Sequence, residues 1–131
     1  MAIHNKDKRF DLKFSLGEVT EKLVEFMVEG GLDVEVKTEA DLWLQTHALV
    51  FEYECRGQPS GIATTEADWW FHALTVRGEC KGMYVFRVPL LRKRLREAFT
   101  AGVAKSVRGG DDNQSKMLQV HIFDVPYLML D

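Results

Sequence analysis

Apolar and polar residues change period several times along this chain, and each change marks an element. Leu16, Val19, Leu23, Phe26 and Met27 recur at helical spacing and form one stripe, the expected core-facing side of a helix. Ser15 and Glu18 have the spacing of a capping box at its start, and Gly30-Gly31 is a stop signal at its end. At about 100° per residue the acidic residues of this helix sort themselves. Glu18 is used in the cap, and Glu25 and Glu29 point toward solvent. Glu21, beside Val24 and Val28, is the helix carboxylate expected to face inward.

The next stretch, Leu32-Asp33-Val34-Glu35-Val36-Lys37-Thr38-Glu39, switches to a period of two and reads as a strand. Leu32, Val34 and Val36 project to one side, and Asp33, Glu35 and Lys37 to the other. Two carboxylates and an ammonium then lie within about 7 Å of one another on a half-buried sheet. A hard divalent cation would justify that crowding, with the lysine serving an anionic substrate. The alternative is an edge strand whose polar face is simply wet.

Glu39-Ala40-Asp41 reads as a polar turn, and a second strand runs from His47 to Glu54 with Val50, Glu52 and Glu54 on one face. Arg56 to Gly61 has turn composition, and Ile62 to Thr65 reads as a short third strand. Thr65, Glu66 and Asp68 then suggest the start of a helix through Leu74. Gly82 to Val88, nearly continuous in apolar residues, has the pattern of a central strand covered on both sides. Pro89 opens a helix whose core positions are Leu91, Leu95, Ala98 and Phe99. Ser106 to Lys116 reads as a mobile loop, and Leu118 to Phe123 as a closing strand. Ahead of the first helix, Phe10 to Phe14 alternates and allows a short strand or arm. The fold class is α/β (α+β), a mixed sheet flanked by helices, and residues 1–131 form one domain.

Composition narrows the classes little: 46% hydrophobic and 28% charged residues are ordinary for a globular chain. No run is long and apolar enough for a membrane span, and the N-terminus lacks a signal-peptide core, so no membrane and a cytoplasmic location are expected. Cys55 and Cys80 have no metal or redox spacing. A net charge of −3 argues against a general basic coat. One local basic cluster stands out, Arg87 with Arg92, Lys93, Arg94 and Arg96.

Several of these pieces occur in a telling order. Glu35-Val36-Lys37 follows a helix bearing Glu21, and is followed by Val50-Phe51-Glu52-Tyr53-Glu54, then Gly57-Gln58-Pro59-Ser60-Gly61-Ile62, then Ala67-Asp68-Trp69-Trp70. Over about residues 15 to 75 this resembles the PD-(D/E)XK nuclease superfamily, and within it small phage-encoded nucleases related to Holliday-junction resolvases. The resemblance implies a restriction-endonuclease-like αβββαβ core and a DNA nuclease dependent on Mg²⁺ or Mn²⁺, working in the host cytoplasm if phage-encoded. It makes Glu35 a metal ligand, Lys37 the catalytic lysine and Glu21 the supporting helix carboxylate. The family places an aspartate on a separate strand before Glu-x-Lys, whereas only Gly30-Gly31 separates the first helix from Asp33. Either Asp33 takes that role, or Glu52 or Glu54 supplies the ligand from the second strand. The implied metal set is Asp33, Glu35 and Glu52. Arg87, Arg92, Lys93, Arg94, Arg96 and Ser60 are the implied nucleic-acid contacts, a sequence-independent role for the basic residues. Family members that act on branched DNA pair as dimers, so a homodimer belongs to the expectation. A nuclease fold kept as an inactive DNA-binding or assembly module is the other reading.

Overall fold

In the computed structural model the described residues are 16–131, with side chains described from Lys22 onward except Val24. The Phe10–Phe14 segment, the Ser15–Glu18 cap and the Glu21 side chain lie outside them. The chain runs α1 (Leu16–Glu29), β1 (Val34–Glu39), a short α2 (Trp43–Thr46), β2 (Ala48–Cys55), β3 (Gln58–Pro59), a 3₁₀ turn (Gly61–Ala63), β4 (Trp69–Val76), β5 (Glu79–Arg87), α3 (Val88–Thr100), β6 (Lys105–Gly109), a 3₁₀ turn (Asp111–Asn113), β7 (Ser115–His121) and a 3₁₀ stretch (Ile122–Met129). The strands form a mixed three-stranded sheet, β1-β4-β5, and an antiparallel four-stranded sheet, β3-β2-β7-β6.

The glycine pair ends α1 as its composition demands. Gly31 takes φ +84°, its N–H bonds the Val28 carbonyl, and the Leu32 N–H bonds the Met27 carbonyl. That is a Schellman motif, which a residue bearing a Cβ disfavours. The helix rests on β5 and β1 through a narrower strip than its stripe suggested. Leu23 and Met27 are half-buried, but Phe26, expected in the core, is 69% exposed.

β4 corrects the helix expected over Asp68–Leu74. It lies between β1, to which it is parallel, and β5, to which it is antiparallel. Alternation sends Trp70, His72 and Leu74 to one face and Trp69, Phe71 and Ala73 to the other. Both faces are covered, so the run reads as continuously apolar and hides its period. It is this strand, rather than Gly82–Val88, that occupies the middle of the sheet; β5 is an edge.

Two further expectations change. In place of the Ile62–Thr65 strand there is the Gly61–Ala63 3₁₀ turn followed by irregular chain, and the expected loop after Ser106 folds into β6, a tight turn and the start of β7. The core joins both sheets to α3 through Leu49, Phe51, Trp70, Phe86, Leu91, Leu95 and Val120. No helix among the described residues is long and apolar enough to cross a membrane.

Candidate functional site

The parallel pairing of β1 with β4 decides which way the charged face of β1 points. Glu35 lies opposite Trp70, Lys37 opposite His72 and Glu39 opposite Leu74, and paired residues share a face. Trp70 and His72 are 1% and 2% exposed and touch Phe51 of the second sheet, with ring centroids 6.3 and 4.8 Å away. The charged side of β1 is therefore turned inward, toward the other sheet. Solvent still reaches it: the Lys37 and Glu35 side chains are 44% and 33% exposed on this edge strand.

A cavity of about 150 Å³ lies there, lined by Lys37, Thr38, Glu39, Val50, Glu52, Trp70, His72 and Met117. The Lys37 ammonium is 3.3 Å from Glu35 Oε2 and 5.9 Å from the centre of the Trp70 ring. Glu35 Oε1 accepts from the Thr65 hydroxyl at 2.8 Å. Glu52 Oε1 accepts from the Ser115 hydroxyl at 2.7 Å, and its second oxygen has no hydrogen bond or ion pair among the described residues. Lys37 and Glu52, from two different sheets, thus line one cavity, and Glu35 adjoins it through its ion pair with Lys37.

The neighbouring candidates separate. A bulge between Glu52 and Glu54 breaks the alternation of β2, and Glu54 forms an ion pair with Lys116 at 3.2 Å. Of the two β2 carboxylates, Glu52 is the one at the cavity. Asp33 precedes β1, is exposed, and is not among the lining residues. Its carbonyl accepts from the Asp68 and Trp69 amides, so its backbone fixes the start of β4. The position of Glu21 falls within α1, but its side chain is outside the described residues.

Gly61 holds the β3 turn against this site. It has φ +54°, and a Cβ there would come within 2.3 Å of the Glu52 carbonyl oxygen. The adjacent Ser60 hydroxyl is buried with no hydrogen-bond partner among the described residues, so it is enclosed rather than presented to a nucleic acid.

The basic cluster divides into three. Arg92 donates to the Ile62 carbonyl at 2.8 Å and to the Thr65 carbonyl, clamping the segment whose Thr65 hydroxyl holds Glu35. Arg94 donates to the Leu130 carbonyl and Glu97, and Arg87 pairs with Asp131. Lys93 and Arg96 are exposed, with no ion pair or hydrogen bond recorded among the described residues. The six implied nucleic-acid contacts therefore hold unlike environments, and Lys93 and Arg96 are the cations most open to a phosphate.

Glu39, His72, Thr65 and Ser115 were not singled out from sequence. Glu39 shares its parity with Glu35 and Lys37, a signal obscured by reading it as part of a turn. The period of His72 was hidden inside the expected helix. Among the described residues no group of three or more His, Cys, Asp or Glu side chains converges closely enough to hold a metal ion. No family model, curated protein or solved structure matches the chain.

Proposed function

We propose that this protein is a divalent-metal-dependent DNA nuclease of the PD-(D/E)XK type, built on a restriction-endonuclease-like core. The observation that carries the reading is a cavity lined by Lys37 of β1 and Glu52 of β2, with Glu35 ion-paired to that lysine.

The donor set suits Mg²⁺ or Mn²⁺. Mg²⁺ keeps several waters and takes only one or two protein carboxylates together with substrate phosphate, so a convergent triple of acids is not required. Glu35 and Glu52 would hold the ion. When bound it would neutralise charge on the phosphodiester and lower the pKa of a bound water. Lys37, held by Glu35 on one side and facing Trp70 on the other, would place its ammonium beside the scissile phosphate and stabilise the negative charge that develops there. Thr65 orients Glu35 through its hydroxyl, and Ser115 orients Glu52. Lys93 and Arg96 would contact flanking phosphates.

The test is incubation of the purified protein with supercoiled, linear, single-stranded and branched DNA in Mg²⁺ or Mn²⁺, then with EDTA. Cleavage that EDTA abolishes, and that Lys37→Ala lowers by about 10²–10³-fold as expected for loss of a transition-state charge donor, supports the proposal. Equal inactivity of wild type and Lys37→Ala on every substrate overturns it. Salt-dependent DNA binding without cleavage would instead favour an inactive nuclease-fold module, a reading to which the exposed Lys93 and Arg96 lend support.

A further inference from the structure

Behind Lys37 runs a chain of hydrogen bonds that crosses from one sheet to the other. The Val50 amide of β2 donates to Glu39 Oε1 at 2.5 Å. The same oxygen lies 2.9 Å from His72 Nε2, and the Trp70 indole N–H donates to His72 Nδ1 at 3.0 Å. Because Nδ1 accepts from the indole, the imidazole proton sits on Nε2 and is donated to Glu39. Every polar atom of His72, 2% exposed, is thereby used, and its ring can take one orientation only. The indole is fixed in turn, and it is the face of that indole that the Lys37 ammonium approaches.

We infer that Glu39, His72 and Trp70 are positioning residues that act through Lys37, setting where its ammonium stands in the cavity. The catalytic consequence rests on the nuclease reading; the structural one does not. β1 carries Glu39 two residues beyond Lys37, so one anchored carboxylate at Glu39 fixes both the strand's register against β4 and its approach to β2. Lysine has four rotatable bonds and wanders unless something restrains it. Glu35 restrains the ammonium from one side, and the indole limits it from the other through a cation–π contact. Without the imidazole between them, the indole would lose its anchor to Glu39.

The experiment compares wild type with His72→Ala, His72→Gln and His72→Leu. Gln carries one acceptor and one donor and can bridge the indole to Glu39, whereas Ala cannot. Two quantities are read: the NMR shift of the Lys37 ε-methylene, displaced in wild type by the indole ring current, and kcat against KM on DNA. His72→Ala should move the Lys37 resonance toward that of a freely solvated lysine and lower kcat by about 10- to 100-fold with little change in KM. His72→Gln should restore both toward wild type. Where His72→Ala does not fold, His72→Leu, which fills the space of the imidazole without its nitrogens and leaves the indole in place, should show the same displacement of Lys37. Folded His72→Ala or His72→Leu protein with an unchanged Lys37 resonance overturns the inference, as does a His72→Gln protein no better than His72→Ala. Should wild type cleave no DNA at all, the nuclease reading fails and the Lys37 resonance alone decides the positioning role.

Discussion

Gly61 is a single atom group away from disturbing Glu52. Its backbone adopts a left-handed conformation, and the space a methyl would need is filled by the Glu52 carbonyl. Gly61→Ala should cost about 1–3 kcal/mol from the conformation alone, with the steric overlap added, and lower the midpoint of thermal unfolding. Because the overlap falls on the strand that carries Glu52, cleavage should fall in the fraction that remains folded. At this scale the sequence was partly readable. Glu35 and Lys37 stood out because a strand's period of two places them together, and their expected proximity matches the 3.3 Å ion pair. Glu54 could not be told from Glu52, since the bulge that separates their roles is a property of the pairing with β7. The hydroxyls that hold the acids, Thr65 and Ser115, come from 30 and 63 residues away along the chain, and no local pattern announces them.

α1 and α3 were readable from local start and stop signals, whereas β4, covered on both faces, was not. α1 matches its expected span because its glycine stop acts locally. α3 begins at Val88, beside the Pro89 that signalled it. β4 was misread because a strand covered on both faces loses its alternation, and the Thr65–Asp68 run resembles a helix cap while serving another purpose. Thr65 in fact binds Glu35, and Arg92 of α3 binds the carbonyls around it. Arg92→Ala should therefore act on stability, losing about 1–3 kcal/mol for charged hydrogen bonds to carbonyls left unpaired, measurable as a shift in denaturant midpoint. Lys93→Ala and Arg96→Ala should leave that midpoint within about 0.5 kcal/mol, as exposed substitutions do. Each should instead weaken DNA binding uniformly across sequences and reduce the slope of log affinity against log salt by about 1. A basic helix face is visible in sequence, but which of its arginines holds the protein together is decided by carbonyls on another element.

For the molecule as a whole, two sheets and one helix share a core, and the charged edge of that core is where β1 meets β2. A net charge of −3 leaves the protein without a general attraction for DNA, so on the proposed reading binding would draw on local exposed cations such as Lys93 and Arg96 of α3. Affinity should consequently fall steeply between low and moderate salt, in proportion to the small number of phosphates contacted. The most direct measurement on the nuclease reading is an anomalous-scattering map from crystals of the folded protein soaked in Mn²⁺. The expected result is a peak at the mouth of the cavity, about 2 Å from carboxylate oxygens of Glu35 and Glu52. A saturated soak that leaves both carboxylates without a peak would contradict it.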